Sequence, residues 1–406
     1  MRILVAPDCF SGTLTAQQAA EAMARGWAEG APHDDVTLLP LADGGPGFLD
    51  VLHSALVGTT AVPVTVEGPL GAPTPAVVLL ADTPGGPVAY IEAAQAVGLH
   101  LVPTGRRDPG LTTSFGVGQL IRAALGLGAR RIVVGLGGSA TNDGGAGMLA
   151  GLGLAAPVLR GGGGGLGAVV EADLAGLTAL RRELAGVDLV IAADVDVPLL
   201  GLHGASAGFA GQKGATPDQA QELERALGHL ADVVARVVSV DGVRSSLLAT
   251  GHAPGGAGVG IGAAQARAAS RALSQLPGGG AAGGLGFGLA VLGGRVLPGA
   301  QVVAAAADLE GRVREADIVL TGEGSLDWQS LHGKVVQAVA AQGMAQGVPV
   351  VVVAGQVLIG RREWGAAGIA GAYAVADRPD QVDAALADPA GTLAARVERV
   401  ARTWSR

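Results

Sequence analysis

Cysteine, charged and aromatic residues are scarce in the sequence, and their scarcity limits the classes of protein to which the chain can belong. Cys9 is the single cysteine among 406 residues, so an internal disulfide framework and a cysteine-based zinc site are excluded. Charged residues make up 15% of the chain and aromatic residues 3%, whereas apolar residues reach 49%. This composition supplies ample material for buried cores and predicts a globular protein rather than a disordered one.

Basic clusters and long apolar runs are also missing from the sequence. The formal net charge is −8 and lysine and arginine form no stripe, so nucleic acid is not an expected partner. No uninterrupted apolar run reaches the about 18 residues of a membrane span, and the N-terminal residues begin a strand rather than a signal peptide. We therefore expect a cytoplasmic protein that binds neither nucleic acid nor membrane. The oligomeric state stays open, with a homodimer among the alternatives.

Short β-branched runs alternate with longer helical patterns along most of the chain, which predicts parallel sheets covered by helices. Three strand-like runs, 61–67, 74–80 and 88–91, have no helix between them and predict an antiparallel segment. The predicted fold class is α/β: two α/β domains with mainly parallel sheets, the second inserted in the first and carrying the antiparallel segment. The predicted boundaries are 1–62 with 292–406 for the first domain and 63–291 for the inserted domain, which we expect to be flavodoxin-like or Rossmann-like.

Two short patterns predict helix starts, and one predicts a loop. Thr15 with Gln18 and Thr216 with Gln219 have the spacing of a capping box, in which each side chain bonds to the other residue's backbone N–H. The run of glycines at 161–165 predicts a flexible loop from its composition.

The glycine-rich segment 135–145 follows the apolar run 131–134 and precedes a helical run at 146–149. A strand that gives way to a glycine turn before a helix exposes backbone N–H groups at the helix start, where an anionic ligand binds. Ser139, Thr141, Asn142 and Asp143 supply the side-chain chemistry of this segment. The segment therefore predicts an anion site, with a purely structural turn as the alternative.

Acidic residues follow four of the predicted strands, at the carboxyl ends where open parallel sheets place their ligands. They are Asp8, Asp43, the pair Asp194 and Asp196, and the pair Glu323 and Asp327. A single such carboxylate is usually a helix cap or turn former. Four acidic strand ends beside glycine-rich turns instead favour Mg²⁺-dependent phosphoryl transfer, because Mg²⁺ prefers one or two carboxylates together with phosphate oxygens.

Lys213 and Lys334 lie in glycine-containing turns, from which a lysine can reach a phosphate as a point charge. The alternative is that both lysines are solvated surface residues, and that the neighbouring His332 is a surface histidine. The chain has no P-loop, because Trp328 stands where that motif requires glycine ahead of Gly333 and Lys334. The glycines at 278–283 match the dinucleotide spacing but follow a helical segment, so they give only weak support to an NAD-dependent oxidoreductase.

In their order along the chain, these motifs resemble the bacterial glycerate kinases of the first type. The resemblance covers nearly the whole chain and rests on these segments: 6–8, 40–45, 135–148, 194–196, 212–215, 280–286, 321–324 and 331–334. It implies a two-domain α/β fold and ATP-dependent phosphorylation of D-glycerate, commonly to 2-phosphoglycerate, in a cleft between the domains. The residues themselves point to phosphoryl transfer, whereas the substrate comes from the resemblance.

The chain departs from the resembled pattern at five positions where a polar or charged residue is expected: Ser11, Pro46, Gln119, Val197 and Ser325. Ser11 replaces a lysine and Ser325 an arginine, and charge-assisted contacts of this kind contribute about 1.5–3 kcal/mol each. Arg106, Arg107 or Lys213 are candidates for compensating the loss. The alternative is a non-catalytic or altered-specificity metabolite-binding relative that keeps the glycerate kinase fold.

The predicted site follows from these patterns and from the resemblance. The predicted cofactors are ATP and Mg²⁺, with Glu323 and Asp327 as the metal ligands. The catalytic candidates are Asp194 and Asp196, either of which would accept the substrate hydroxyl proton, and Lys213, which would offset developing charge. The predicted substrate- or phosphate-binding residues are Asp8, Ser11, Asp43, Gly137, Gly138, Ser139, Asn142, Asp143, His332 and Lys334.

Overall fold

The structure is a computed structural model that describes residues 1–10, 12–240 and 263–405. It divides into two compact units, which we call unit 1 (Met1–Val57 with Pro298–Arg406) and unit 2 (Gly58–Leu297). The fold is mixed α/β with mainly parallel sheets and one antiparallel segment, which confirms the predicted fold class. Ser11, one of the predicted binding residues, lies outside the described residues.

The strands are β1 (Arg2–Val5), β2 (Asp35–Leu38), β3 (Thr59–Glu67), β4 (Pro73–Thr83), β5 (Gly86–Glu92), β6 (Arg131–Leu136), β7 (Asp188–Ala193), β8 (Arg295–Pro298), β9 (Ile318–Thr321), β10 (Ser325–Leu326), β11 (Val350–Ala354), β12 (Gln356–Val357) and β13 (Ile369–Ala374). The helices are α1 (Ala16–Gly30), α2 (Phe48–Ala55), α3 (Ala94–Val97), α4 (Phe115–Gly126), α5 (Ala146–Gly151), α6 (Gly162–Gly165), α7 (Leu177–Leu184), α8 (Ala205–Phe209), α9 (Pro217–Val240), α10 (Ala263–Ser274), α11 (Ala281–Val291), α12 (Gly299–Ala306), α13 (Leu309–Glu315), α14 (Val335–Gln346), α15 (Arg361–Ala366), α16 (Val382–Ala387) and α17 (Pro389–Trp404).

Unit 1 is built on a parallel sheet with the strand order β13-β11-β9-β1-β2. The central strands are apolar on both faces, because helices cover each side of the sheet. One face packs Met23 and Trp27 of α1 and Val397 of α17 against the strands, and the other packs Val336 of α14 against Val352. β1 and β9 pair directly, although all of unit 2 separates them in sequence.

Helices α1 and α17 make a close contact that depends on a glycine. A Cβ atom added at Gly26 of α1 would lie 2.1 Å from the backbone oxygen of Ala394 in α17. The two backbones therefore approach more closely than any side chain at position 26 permits. Helix α1 starts at the predicted capping box: the Gln18 N–H donates to Thr15 Oγ1 (3.2 Å) and the Thr15 N–H to Gln18 Oε1 (3.0 Å).

Unit 2 contains a sheet with the strand order β3-β4-β5-β6-β7-β8. β3, β4 and β5 pair antiparallel, as the three helix-free runs predict, and β5, β6 and β7 pair parallel. Gly135 and Leu136 of β6 stand opposite Ala192 and Ala193 of β7, so the segments that follow these two strands begin side by side. The second capping box is also present at the start of α9, between Thr216 and Gln219.

The prediction of a flexible loop at 161–165 is wrong. Gly162–Gly165 form the short helix α6, in which Gly162 and Gly163 are buried, and the Gly164 N–H donates to the backbone oxygen of Gly110 (2.9 Å). Tertiary packing therefore orders a run whose composition alone favours disorder. Among the described residues, no helix is long and apolar enough to cross a membrane.

We predict that Gly26→Ala destabilises unit 1 by about 1–3 kcal/mol, because the added methyl group must push α17 away from α1. The matched control is Gly365→Ala in α15, where an added Cβ meets nothing within 4 Å and helix propensity favours alanine by about 1 kcal/mol. All four tryptophans lie in unit 1, so urea unfolding followed by tryptophan fluorescence reports on this unit. Equal stability of the two variants would contradict the close-packing interpretation.

Candidate active site

The predicted carboxylates of unit 1 converge on one cleft of about 490 Å³. Asp8 follows β1, Asp43 follows β2, and Glu323 follows β9, so the parallel pairing of these strands brings their carboxyl ends together. The Asp8 N–H donates to the Gly322 oxygen (2.9 Å), which holds the two strand ends in register beyond the sheet. Asp327 and Lys334 line the same cleft.

Glu323 is the most constrained of these carboxylates. It is only 7% exposed, and its Oε1 atom is buried without a hydrogen-bond partner in the structure. The pKa of Glu323 is raised to about 7, chiefly by burial; a hydrogen bond from Ser330 and the charge of Lys334 oppose the shift, and the charges of Asp327 and Asp43 add to it. One carboxylate oxygen of a residue that lines the cleft is therefore buried without a partner.

Asp8 has a similar environment. Its Oδ1 atom accepts a hydrogen bond from the Cys9 N–H (2.7 Å), and burial, followed by the nearby charge of Asp43, raises its pKa well above the ordinary range. Close carboxylates of this kind repel one another unless a proton or a cation is shared between them. The cleft is therefore set up to bind positive charge.

The segment after β10 holds the remaining predicted residues of unit 1. Asp327 accepts hydrogen bonds from the N–H groups of Gln329 (2.8 Å) and Ser330 (3.2 Å), so it shapes a turn as well as lining the cleft. Lys334 is half-buried at the start of α14. His332 is exposed, with its ring against Trp328 and its Nδ1 atom 2.8 Å from the Trp328 oxygen, and it does not line the cleft.

The glycine-rich segment of unit 2 has the predicted strand, loop and helix order, from β6 through residues 137–145 to α5. Asp143 is fully buried and holds the loop closed. Its Oδ2 atom accepts from the N–H (2.7 Å) and hydroxyl (2.8 Å) of Ser114 and from the Gly147 N–H (3.2 Å). Its Oδ1 atom accepts from the Gly145 N–H (3.1 Å). Burial raises the pKa of Asp143, while these donors oppose the shift.

The expectation that N–H groups at the helix start are open to an anion is wrong for this loop. The Gly145 and Gly147 N–H groups donate to Asp143, and the Met148 N–H donates to Ser114 Oγ (2.9 Å). A buried carboxylate of the protein thus occupies the place of the expected ligand. Gly138 is exposed and Gly137 half-buried, so the earlier part of the loop remains accessible.

Lys213 lies beneath this loop and is only 3% exposed. Its Nζ atom donates to the backbone oxygen of Thr141 (2.7 Å) and to Ser139 Oγ (3.1 Å). Burial lowers the pKa of Lys213 to about 7, although the charge of Asp143 opposes the shift. The structure thus brings together Lys213, Ser139 and Asp143, three of the residues that the sequence predicts for the site.

Asn142 is fully buried beside these residues. Its Nδ2 atom donates to Ser206 Oγ (3.0 Å), while its Oδ1 atom is buried without a partner in the structure. Ser206 in turn hydrogen-bonds to the side chain of Glu224, whose pKa is raised by burial. This network fixes the side-chain amide and leaves its oxygen as an unused acceptor.

Asp194 and Asp196 follow β7, next to the segment that follows β6. Asp194 is half-buried and Asp196 is exposed. The six carboxylates predicted at strand ends are therefore divided between the units, with Asp194 and Asp196 in unit 2 and Asp8, Asp43, Glu323 and Asp327 in unit 1.

The glycines at 278–283 have a structural explanation that does not involve NAD. They follow α10, not a strand, as expected. A Cβ atom added at Gly283 would lie 1.9 Å from the Thr141 backbone oxygen, and the Gly144 N–H donates to the Gly283 oxygen (3.0 Å). These glycines therefore let the start of α11 pack against the loop 137–145.

Two of the departures from the resembled pattern have structural surroundings that account for them. Gln119 Oε1 accepts a hydrogen bond from the Glu67 N–H (2.7 Å), a role that needs an acceptor oxygen but no charge. Val197 contributes its backbone oxygen to the Gly280 N–H (2.9 Å), which any side chain permits. Ser325 lines the carboxylate cleft, and Pro46 is exposed.

Sequence reasoning did not single out Ser114, Ser206 or Glu224, which hold Asp143 and Asn142 in place. A usable signal existed for one of them, because Thr112, Thr113 and Ser114 form a run of hydroxyl side chains directly before α4. Thr112 Oγ1 donates to the Ala140 oxygen (2.8 Å) from this run. Ser206 and Glu224 lie on separate helices, and no local pattern connects them to Asn142.

Comparison with known proteins gives consistent matches. Residues 3–405 match the model of the glycerate kinase family. The chain is 39% identical to glycerate kinase from Bacillus subtilis (strain 168) over 88% of this chain and 85% of that protein. It is 37% identical to glycerate 2-kinase from Escherichia coli (strain K12) over 87% and 85% of the two chains. A crystal structure described as glycerate kinase 2 from Salmonella typhimurium LT2 matches with a TM-score of 0.74 and 36% identity, covering 99% of this chain and 98% of that one.

These matches show that the chain is a kinase, which confirms the prediction that it is an enzyme. It belongs to the glycerate kinase family, and the resemblance found in the sequence is thereby confirmed.

We predict that Lys213 titrates with a midpoint near pH 7, because burial disfavours its charged form. The chain contains two lysines, Lys213 and Lys334, so a sample labelled with ¹³C-lysine gives two Cε signals in NMR. Lys213→Met removes one signal and assigns it. A midpoint near 10 for both signals would contradict the predicted burial effect.

The same shift gives a pH dependence of stability with a defined sign. Between about pH 7 and pH 10 the unfolded lysine binds a proton that the folded lysine has lost, so this side chain makes stability rise with pH. From pH 6 to pH 9 the rise is about 3 kcal/mol. We expect urea unfolding of Lys213→Met to lack this rise, and equal pH dependence of the two proteins would contradict the sign.

Proposed function

We propose that the chain is an ATP-dependent glycerate kinase that transfers a phosphoryl group to a hydroxyl of D-glycerate, with 2-phosphoglycerate as the product. The match of residues 3–405 to the glycerate kinase family is the observation that carries this proposal. The relative from Escherichia coli is named a glycerate 2-kinase, which supports the choice of hydroxyl. The two polar clusters described above supply the charges that phosphoryl transfer uses.

The carboxylates of unit 1 fit a Mg²⁺ ion. Glu323 Oε1 is a buried acceptor without a partner, and Asp8, Asp43 and Asp327 line the same cleft. Within the described residues no three His, Cys, Asp or Glu side chains are grouped to hold a metal, and Mg²⁺ needs only one or two carboxylates together with phosphate oxygens and water. We propose Glu323 and Asp327 as its ligands. When bound, the ion would neutralise phosphate charge.

In unit 2 we propose that Asp194 accepts the proton of the glycerate hydroxyl as its oxygen attacks the terminal phosphorus of ATP and ADP leaves. Asp194 is favoured over Asp196 because it directly follows β7 and is half-buried, whereas Asp196 is exposed. Water solvates an exposed carboxylate and leaves it less able to act on one fixed hydroxyl.

We propose that Lys213, the buried Ser139 and the accessible glycines Gly137 and Gly138 bind the anionic groups of the substrates. Lys213 Nζ already contacts Ser139 Oγ, so its charge is directed to this part of the loop. An anion bound there raises the pKa of Lys213 again, because a nearby negative charge favours the protonated amine. Asp143 then acts through the loop that its hydrogen bonds hold in place, and Asn142, fully buried beside it, keeps one acceptor oxygen without a partner.

The first test is ADP release from Mg-ATP by the purified protein, with D-glycerate, with no acceptor, and with a panel of other hydroxy acids. We expect turnover that depends on D-glycerate. Phosphorus NMR of the product should show a doublet, since the phosphate at C2 couples to one proton, whereas a phosphate at C3 gives a triplet. Turnover with a different hydroxy acid alone would contradict D-glycerate as the substrate and agree with the altered-specificity alternative.

A matched pair of variants tests the base. We expect Asp194→Asn to lower kcat by about 10²–10⁴-fold, the usual contribution of a general base, with little change in stability. Asp196→Asn, two residues further along the same segment, should change kcat less than about tenfold. A larger loss in Asp196→Asn, or a matching loss of thermal stability in Asp194→Asn, would contradict the assignment.

A further inference from the structure

The residues that line the cleft of unit 1 fall into two sets of different chemistry, which we call its polar end and its apolar end. Its polar end holds the four carboxylates of Asp8, Asp43, Glu323 and Asp327 together with Lys334. Its other end is apolar and is lined by Val382, Ala385 and Leu386 of α16, by Pro389 and Leu393 of α17, and by Val375. A ligand that fills the whole cleft therefore needs one part that is positively charged or binds a cation, and another part with an apolar surface.

The acidic side chains at the polar end disfavour a small free acid as its occupant. A glycerate carboxylate would meet four acidic side chains and one lysine. Each pair of like charges about 5 Å apart costs about 3 kcal/mol in surroundings with an effective dielectric constant of about 20. A phosphate group complexed with a divalent cation avoids this repulsion, because the cation faces the carboxylates.

Glu323 supplies independent support for a ligand at this end. The residue is more than nine-tenths buried and lines the cleft, and its Oε1 atom is buried without a hydrogen-bond partner in the structure. An uncompensated buried carboxylate oxygen is costly, so its retention points to a bound cation or donor. Lys334 stands at the start of the twelve-residue helix α14, where the helix dipole adds to its positive charge for a phosphate.

The apolar end distinguishes between the two substrates of a kinase. Glycerate has three carbons, all bearing oxygen, and offers no apolar face. A nucleotide base is flat and largely apolar, and the cleft volume of about 490 Å³ lies in the range of small-molecule sites. Leu386 is 59% exposed at the wall, a large apolar side chain left for a ligand to cover.

We propose that the cleft of unit 1 is the nucleotide site, with the base against α16 and the start of α17 and the cation-bound phosphates at Glu323 and Asp327, beside Asp8 and Asp43. The proposal rests on the proposed function, in which ATP is the phosphoryl donor. It assigns a ligand class to α16 and α17, which no sequence motif marks as a binding element.

The test is calorimetric titration of the purified protein with Mg-ADP. Ala385→Trp places an indole in the apolar wall and should weaken binding about tenfold or more, because the space for the base is filled. The matched control is Ala384→Trp, the neighbouring residue of α16, which is exposed and does not line the cleft; its affinity should equal that of the wild type. Leu386→Ala should weaken binding about threefold to tenfold without adding bulk, and circular dichroism checks that each variant is folded.

The possible outcomes distinguish a failure of the nucleotide-site assignment from a failure of the proposed kinase function. Unchanged Mg-ADP affinity in Ala385→Trp and Leu386→Ala overturns the assignment, and unchanged affinity in these two variants together with lost affinity in Lys213→Met places the nucleotide in unit 2. No Mg-ADP binding by the wild type overturns it as well. If the cleft variants lose affinity but the wild type transfers no phosphoryl group to glycerate, the nucleotide site stands and the proposed function fails. If glycerate is phosphorylated while the cleft variants bind normally, the function stands and the site fails.

Discussion

The parallel pairing of β1 with β9 is the constraint on which the carboxylate site depends. Ile3 to Val5 stand beside Ile318 to Leu320, and the hydrogen bond from Asp8 to Gly322 continues the pairing to the strand ends. Residues that the whole of unit 2 separates in sequence thereby become neighbours. Because the pairing also buries Asp8 and Glu323, it raises the pKa of both side chains and leaves one oxygen without a partner. The burial of these acidic side chains is a direct result of the sheet that brings them together.

The two polar clusters handle buried charge in opposite ways. In unit 2, Asp143 is given four hydrogen bonds, and Lys213 two, so the loop is held in one conformation before a ligand arrives. In the cleft of unit 1, four acidic side chains face a single basic one, that of Lys334. Glu323 also has one oxygen without a hydrogen-bond partner in the structure. Satisfied networks give rigidity, whereas unsatisfied charge gives binding energy to the ion or group that completes it. The first cluster is therefore suited to positioning and the second to holding a cation with its phosphates.

The structural surroundings of the departures from the resembled sequence pattern show that they differ in their consequence for catalysis. Gln119 and Val197 serve backbone contacts that require no charge, so their replacement does not count against catalysis. Ser325 is different, because it lines the cleft in which acidic side chains predominate. A missing arginine there makes the polar end more negative and increases its need for a divalent cation. The missing arginine therefore changes which ligand the cleft binds and does not change the fold.

The sequence by itself determined the class of fold, the antiparallel segment, the helix caps and the acidic strand ends, because each depends on periodicity or spacing over a few residues. It also determined the family, since collinear motifs extend over nearly the whole chain. Only the tertiary structure decided that the N–H groups of Gly145 and Gly147 at the start of α5 donate to Asp143. It also decided that the glycine run at 162–165 is helical and that Ser206 and Glu224 orient Asn142. It also brought the apolar residues of α16 and α17 to the carboxylates of β1 and β9. These features depend on contacts between distant segments, whose partners and burial no local pattern of residues specifies.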